Sequence, residues 1–251
     1  MEKPVDNTDL FTCKSNDYSK FRPSYPTSAI DWLFEKNHPC SHVLDIGAGT
    51  GIFTQALLCR FPHVSAVEPN ADMRRQFLKS LPHIFCSHGT GENTGLPDAS
   101  TDLITVAQAF HWLDAEKFKQ EAERILHPGG KVAIVWNNSL ENDFTKARNN
   151  VCRKYCPRFR KGHAGKRSAA EGDAFLRHSY FREVEVTSFP NPFVMDRRIF
   201  IGNMRSRSYA LMPGDKNYGI FMKELNDVFN RFSRNGTVTD PLQTQIFLGR
   251  F

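Results

Sequence analysis

Short continuous apolar runs alternate with amphipathic segments through the first half of the chain. Each run has the length and the β-branched content that are typical of a strand buried on both faces, and the segments between them repeat apolar residues at helical spacing. This alternation predicts a parallel sheet covered by helices on both faces. The predicted strands are 43–46, 64–67, 84–86, 103–106 and 132–136, and the predicted helices are about 52–60, 71–81 and 115–126.

The second half of the chain adds two alternating polar and apolar runs, at 184–189 and 243–248, which we interpret as the closing pair of strands. Two insertions, 140–182 and 190–240, are rich in helix formers, arginine and aromatic residues. They follow the carboxyl ends of strands, where open α/β sheets bind ligands, so we expect a lid that selects the substrate. Residues 1–38 are expected to form an N-terminal cap, with a helix capped by Thr27.

The first strand breaks into a turn with glycines at 47, 49 and 51, which lets a ligand lie directly on the main chain. The spacing does not fit a dinucleotide fingerprint, because the third glycine of that pattern would fall on Ile52, and no Gly-Lys-Ser/Thr follows as in a phosphate-binding loop. Glu68 ends the second strand beside this turn, at a height suited to a ribose diol. Together these features predict a nucleoside ligand.

Further motifs follow in a fixed order: Thr90-Gly91-Glu92, then Leu96 to Asp102, then Leu126 to Lys131. With the glycine turn and Glu68, they make residues 18–136 resemble the class I S-adenosylmethionine-dependent methyltransferases. The resemblance implies a seven-stranded, Rossmann-like, doubly wound α/β sheet, mostly parallel with an antiparallel last strand. It implies S-adenosyl-L-methionine as cofactor and a single domain over 1–251. A NAD-binding or purely structural Rossmann-type domain is the alternative.

The resemblance also assigns site residues. The expected cofactor-binding residues are Tyr18, Arg22, Asp45, Gly47, Ala48, Gly49, Gly51, Glu68, Pro69, Gly91, Glu92, Gln108 and Phe110. The expected substrate residues are Tyr25, Trp112, Arg205 and Ser206.

His111 follows the fourth strand, where the reacting groups of such enzymes face the methyl group, and a histidine can accept a proton near neutral pH. It is therefore the candidate catalytic residue, with packing at the strand end as the alternative. The stretches at 21–26 and 111–112 narrow the resemblance to the small-molecule branch that includes trans-aconitate methyltransferase-like enzymes. A carboxylate acceptor is already ionised at pH 7 and needs no base, so His111 would then orient it while Arg22 or the cluster 205–209 clamps it.

The charge of the chain leaves a second class of acceptor open. The net charge is +6, and seven Lys or Arg residues lie between Arg153 and Arg167. Such a patch could bind RNA, so a tRNA or rRNA methyltransferase is the rival enzyme. The sequence disfavours nucleic acid, because strand four ends in Thr105-Val106-Ala107-Gln108 without the Pro-Pro-Tyr type of motif used for base amines. A protein that binds S-adenosylmethionine without turnover would carry the same cofactor motifs.

The remaining composition is that of an ordinary globular protein. No run is long enough to span a bilayer and no signal peptide is visible, so we expect a cytoplasmic protein. Six cysteines are scattered without a disulfide or metal-site spacing. Cys152, Cys156 and His163 lack a fourth ligand, so no metal is expected. The oligomeric state cannot be read from the sequence.

Overall fold

The structure is a computed structural model that describes residues 14–159 and 169–251. A seven-stranded sheet in the order β3-β2-β1-β4-β5-β9-β6 forms its centre. The first five strands of this order are parallel, and β9 runs antiparallel between β5 and β6. The predicted fold class is confirmed. The strands of this sheet are β1 (Val43–Ile46), β2 (Val64–Val67), β3 (Cys86–Ser87), β4 (Thr101–Ala107), β5 (Leu126–Ser139), β6 (Glu183–Pro190) and β9 (Leu242–Arg250).

Nine α-helices lie among the described residues, and a single 3₁₀ turn (Phe110–Trp112) follows β4. A π-helical turn (Leu176–Tyr180) continues α7. The α-helices are α1 (Ser15–Phe21), α2 (Thr27–Asn37), α3 (Ile52–Leu57), α4 (Ala71–Ser80), α5 (Ala115–Ile125), α6 (Asp143–Tyr155), α7 (Ala169–Phe175), α8 (Arg197–Arg205) and α9 (Tyr218–Phe232).

The sheet buries a separate apolar cluster on each face. Successive strand residues point to opposite faces, so Leu44 packs with α5 residues such as Phe118, while its neighbour Val43 packs with Leu33 of α2 and Phe53 of α3. All four residues of β1 are buried, which is why the strand is continuously apolar except for one acid. That acid, Asp45, is therefore held at a fixed position at the end of a rigid strand.

The two insertions build a third apolar cluster of their own. Helices α6, α8 and α9 contribute its aromatic core, which includes Phe144, Phe200 and Phe221. The second insertion also contains a two-stranded antiparallel ribbon of β7 (Phe193–Asp196) and β8 (Thr237–Asp240), which the sequence did not predict. These strands have only four residues each, too few for a clear alternation of polar and apolar positions.

Two local predictions were wrong. Thr27 is the first residue of α2, and Pro26 holds the capping position with an extended backbone, so Thr27 does not cap the helix. Strand three was placed at 84–86 but occupies Cys86–Ser87, because only these two residues pair with β2. None of the described helices combines the length and apolar character needed to cross a bilayer.

Candidate functional site

The glycine turn between β1 and α3 uses its three glycines for different purposes. All three have positive φ angles, +67° at Gly47, +60° at Gly49 and +90° at Gly51, a region that side chains rarely adopt. A Cβ at Gly47 would lie 2.6 Å from that of Ala109, and one at Gly51 would press on α4. A Cβ at Gly49 would meet no protein atom within 4 Å. Gly49 is therefore the glycine that faces open space, while the other two allow close packing.

Glu68 ties the end of β2 to this turn. Its Oε2 accepts a hydrogen bond of 2.7 Å from the Gly49 amide, and its Oε1 accepts one of 2.8 Å from the Asn70 amide. The residue is only 6% exposed, and burial raises the pKa of the carboxyl although the backbone hydrogen bonds oppose that rise. A carboxylate has about four acceptor positions, so two remain for other donors such as the hydroxyls of a diol.

Asp45 forms the floor of the site. It is fully buried and accepts hydrogen bonds from the hydroxyls of Thr54, at 2.6 Å, and Thr105, at 3.0 Å. Burial raises the pKa of its carboxyl to about 7, although both threonine hydrogen bonds lower it. The two threonines, which the sequence analysis did not single out, therefore hold an acid that changes charge near neutral pH.

This raised pKa predicts a pH dependence of stability. Between pH 4 and 7 the folded protein keeps a proton on Asp45 that the unfolded chain releases, so the Asp45 contribution to stability is present below pH 4 and is lost as the pH rises toward 7. Replacing Asp45 by asparagine should remove that loss. Urea unfolding at pH 5 and pH 8 measures it: the wild type should lose more stability than Asp45→Asn between the two pH values, and equal changes would contradict the assignment.

Gln108 lies directly after β4 in a strained conformation. Its φ is +57°, which is uncommon for a residue other than glycine. Its backbone N–H donates a hydrogen bond of 2.9 Å to the Val135 carbonyl. Its side-chain Nε2 is buried and has no hydrogen-bond partner among the described residues. Residues with strained backbone conformations occur often at ligand sites. A buried side-chain amide without a partner indicates a position where a ligand could accept its hydrogen bond.

The glycine turn, Asp45 and Gln108 border a cleft of about 600 Å³ that opens to solvent, while Glu68 lies outside its lining and is joined to it through the Gly49 amide. Its inner side is Asp45, the turn from Gly47 to Gly49, and Gln108. Its other side, which we call the outer wall, consists of Tyr18, Arg22, Pro23, Tyr25 and Arg207.

The outer wall depends on the packing of α1 against α8. Phe21 lies so close to Gly202 that a Cβ there would approach the ring to 2.2 Å. Asn203 Nδ2 donates 2.9 Å to the Phe21 carbonyl, and Lys14 Nζ donates 2.8 Å to the Arg207 carbonyl. The N-terminal segment and the second insertion therefore form one continuous structure beside the cleft.

Arg22 is held within this wall. Its Nη2 donates 3.2 Å to the Ser206 carbonyl, and its guanidinium lies 4.6 Å from the centre of the Tyr18 ring. Burial first, and the charge of Arg207 second, lower the pKa of Arg22 to about 10. Burial also raises the pKa of Tyr25 well above its usual value, so this phenol stays neutral.

Other predicted cofactor residues lie outside the cleft lining. Phe110 is 8% exposed and packs in the core, 5.2 Å from Tyr180 between ring centres. Gly91 is buried, and a Cβ there would strike Leu113, while Glu92 accepts a hydrogen bond of 2.8 Å from the Asp114 amide. The Pro69 carbonyl accepts from Arg74 at 3.2 Å, and Gly51 packs against α4 as described above.

His111 lies in the 3₁₀ turn after β4, also outside the cleft lining. Its ring is 4.5 Å from that of Trp112 and 5.4 Å from that of Trp136 between centres. This aromatic packing gives both His111 and Trp112 a structural role at the strand end. A catalytic role for His111 stays a prediction.

Of the predicted clamp cluster 205–209, the structure brings Arg207 to the cleft lining, and not Arg205 or Ser206. Arg205 is 45% exposed and pairs with Asp17 at 3.1 Å, and the buried Ser206 hydroxyl donates 2.7 Å to the Asn203 carbonyl. Arg207 lines the cleft in their place, as do Asn137 at the end of β5 and Leu242. The sequence offered a signal for Asn137, a polar residue directly after an apolar strand. It placed Arg207 in the cluster 205–209 but gave no reason to prefer it to Arg205, because α8 ends just before Arg207 and helical spacing no longer applies.

The described cysteines and basic residues show no second site. Cys152 and Cys156 are buried in the insertion core, and His163, weighed with them as a metal ligand, lies outside the described residues. No group of three or more potential metal ligands occurs in the described part of the chain. Of the basic stretch, Arg160, Lys161, Lys166 and Arg167 also lie outside that part, and Lys154 pairs with Glu224 at 2.7 Å.

Comparisons with known proteins show that the sheet is similar to that of methyltransferases. Residues 44–134 match the Methyltransferase domain family model. An uncharacterized methyltransferase of Mycobacterium tuberculosis is 43% identical over 124 residues, 49% of this chain and 50% of that protein, so the chain spans about half the length of the curated relatives it matches.

Solved structures extend the likeness beyond the matched segment. A protein of Anaeromyxobacter dehalogenans assigned as a type II methyltransferase superposes over 92% of this chain and 98% of its own, with a TM-score of 0.67 and 25% identity. A phosphoethanolamine N-methyltransferase of Haemonchus contortus, in complex with S-adenosylhomocysteine, shares the fold over 100% of this chain and 61% of its own, at a TM-score of 0.55 and 15% identity.

The site fits the cofactor of these proteins. Gly49 leaves the main chain open, Glu68 has acceptor positions to spare for a diol, and Gln108 presents a buried amide without a partner in the described residues. Residues 44–134 therefore match a methyltransferase domain, and the sheet, the motifs and this cleft are similar to those of the class I S-adenosylmethionine-dependent methyltransferases.

Proposed function

We propose that the protein transfers a methyl group from S-adenosylmethionine to a small-molecule acceptor, at an oxygen such as that of a carboxylate. The observation that carries this proposal is the cleft itself, with a carboxylate and open main chain on one side and a cationic wall on the other. When bound, S-adenosylmethionine supplies a methyl group on an activated sulfonium. The residues of the chain then have to bind, orient the acceptor and exclude water.

The shape and charge of the outer wall support a small anionic acceptor. Tyr18, Arg22 and Tyr25 of the N-terminal segment line the same cleft as the glycine turn, so an acceptor bound beside Gly49 would meet their side chains. An ionised acid needs no general base, only cations and hydrogen bonds that fix one oxygen. The arginines of the wall supply that chemistry, and the packed position of His111 is compatible with it.

A change at His111 distinguishes the two kinds of acceptor. Phenylalanine at this position keeps a ring between the two tryptophans but cannot accept a proton. With a carboxylate acceptor, His111→Phe should lower kcat by less than about tenfold and leave the pH profile of kcat unchanged, since no base contributes. A loss of about 10² to 10⁴ in kcat, together with the disappearance of an ionisation near neutral pH, would assign His111 as the base and rule out this acceptor.

A methyltransferase acting on RNA is the alternative enzyme. The basic stretch from Arg153 to Arg167 suggests this alternative. In the part of the stretch that the structure describes, Lys154 is neutralised by its ion pair with Glu224. Nucleic-acid binding rests on clustered cations that are free to meet phosphates, so this pairing favours the small molecule. A protein that binds the cofactor without turnover is the other alternative.

Methyl transfer from labelled S-adenosylmethionine tests the proposal directly. Separate pools of acids, phenols, amines and total RNA should be offered to the purified protein, and the labelled product identified. We expect label in the acid pool as a methyl ester, which mild alkali releases as methanol. Label in RNA would establish the alternative enzyme, and tight cofactor binding with no labelled product in any pool would favour the non-catalytic one.

A further inference from the structure

The linker between α1 and α2, residues 22–26, forms part of the outer wall, and we call it the strap. Arg22 and Pro26 have extended backbone angles, and Arg22, Pro23 and Tyr25 line the cleft. Its two prolines carry no N–H, so the strap has few main-chain donors with which to hold a fixed position. Its carbonyl groups are the main-chain groups that the rest of the fold can bind.

Two asparagine side chains bind the strap at the Ser24 carbonyl. Asn191, which directly follows β6, donates from Nδ2 at 2.8 Å, and Asn137, near the end of β5, donates from Nδ2 at 3.3 Å. Asn191 is fixed in turn, because its main-chain N–H donates 2.9 Å to the Leu242 carbonyl. The strap, the sheet and the start of the second insertion therefore meet at one carbonyl oxygen.

The direction of the Asn137 amide is set from inside the sheet. A carbonyl only accepts, so each amide has to turn its nitrogen toward Ser24. The Oδ1 atom of Asn137 then accepts from the Thr244 hydroxyl of β9 at 2.5 Å and from Asn191 Nδ2 at 3.2 Å. Thr244 is fully buried and is the register partner of Asn137. Its hydroxyl therefore determines which end of the Asn137 amide reaches the strap.

We propose that Asn137 and Asn191 are positioning residues that hold the strap in place at the cleft, with Thr244 orienting the Asn137 amide. Ser24 is exposed, so water competes for its carbonyl, and amides that already point the right way favour the protein contact. Since three strap residues line the cleft, the position of the strap sets the shape of the outer wall. The consequence for ligand affinity rests on the proposed function, whereas the contact itself does not.

Variants at Thr244 separate this role from ordinary packing. Thr244 and Asn191 are not among the residues that line the cleft, so their effects pass through Asn137 and the strap. Thr244→Val keeps the shape of the side chain and removes its hydroxyl, whereas Thr244→Ser keeps the hydroxyl and removes a methyl group. If Thr244 only packs, serine is the more damaging change, and if it orients Asn137, valine is. Asn191→Leu removes the second amide. Thr145→Val, which removes a buried hydroxyl at the start of α6, is the matched control.

NMR of the ligand-free protein reports the contact. With ¹³C-carbonyl serine and ¹⁵N-tyrosine, carbonyl signals come from Ser-Tyr pairs, and the chain has three, at 24–25, 179–180 and 208–209. The signal that is lost in Ser24→Ala belongs to the strap. In Thr244→Val and Asn191→Leu we expect this signal to move upfield, as a carbonyl signal does when it loses hydrogen bonds, while the other two stay in place. Thr244→Ser and Thr145→Val should leave all three signals unchanged.

Calorimetry with S-adenosylhomocysteine measures the consequence for the cleft. Thr244→Val and Asn191→Leu should bind it about 2- to 10-fold more weakly than the wild type, the range of one neutral hydrogen bond, and Thr244→Ser and Thr145→Val should bind it normally. A strap signal that stays in place in Thr244→Val, or moves more in Thr244→Ser, would overturn the orienting contact. A shifted signal with unchanged affinity would overturn the positioning role. Failure of the wild type to bind S-adenosylhomocysteine would instead refute the proposed function, and the NMR result would still decide the contact.

Discussion

Replacing Glu68 by alanine is expected to weaken the binding of S-adenosylhomocysteine by about 1 to 3 kcal/mol, which is roughly 5- to 150-fold in the dissociation constant. The change removes the acceptor for a ligand diol. It also leaves the amides of Gly49 and Asn70, which Glu68 now binds at 2.7 and 2.8 Å, without their acceptor. Because Gly49 is the glycine that faces open space, the loss disturbs the surface on which the ligand lies.

Calorimetry with S-adenosylhomocysteine measures this effect. Glu68→Gln, which keeps one acceptor oxygen, should fall between the wild type and the alanine variant. Glu183→Ala, at an exposed position of β6, is the control and should bind normally. An unchanged dissociation constant in Glu68→Ala, with the fold intact by circular dichroism, would refute the assignment of Glu68 to the ligand.

Replacing Gly202 by alanine is expected to displace α1 and to lower the affinity for S-adenosylhomocysteine by at least about tenfold, an effect within the roughly 1 to 3 kcal/mol that overpacking costs. The new Cβ would lie 2.2 Å from a ring carbon of Phe21, so α1 must move away from α8. Arg22 directly follows Phe21 and would move with it. In a helix with free space at that position, replacing glycine by alanine stabilises the fold by roughly 0.5 to 1 kcal/mol. A loss of affinity in Gly202→Ala would therefore come from the contact with Phe21.

Two controls isolate this contact. Gly219→Ala adds a methyl group to α9 where nothing lies within 4 Å, and it should leave affinity unchanged. In a Phe21→Ala background the ring is gone, so adding Gly202→Ala should cost little further affinity, a coupling that a double-mutant cycle measures. Additive losses would show that the packing of α1 on α8 does not support the cleft.

The fold was predictable where apolar residues recur with the regular spacing of a strand or a helix. Four of the five parallel strands, β1, β2, β4 and β5, contain buried runs that appear in the sequence as continuous apolar stretches, and β6 and β9 alternate as strands with one polar side do. The ribbon of β7 and β8 was missed, because four-residue strands inside a helix-rich insertion leave too short a pattern. The start of α2 was misplaced by one residue because Pro26, with its extended backbone, already holds the position before the helix.

The site was predictable where the motif is local. Glycines at 47, 49 and 51 and an acid at the end of the next strand are fixed by strand geometry, so their meeting at one edge of the sheet follows from the sequence. The sequence predicts the cluster 205–209 as a clamp but does not show that Arg207 is the member that lines the cleft, because this depends on the packing of α8 against α1, a tertiary contact between segments about 180 residues apart. His111 was singled out from its place after β4, but the aromatic rings around it come from the tertiary fold.

The central claim is that the cleft beside Gly49 and Glu68 receives the adenosyl nucleoside of S-adenosylmethionine and not a dinucleotide. Titrating the purified protein with S-adenosylhomocysteine and, separately, with NAD by calorimetry tests it most directly. We expect one S-adenosylhomocysteine to bind per chain, with no heat of binding for NAD. Saturable binding of NAD without binding of S-adenosylhomocysteine would contradict the account.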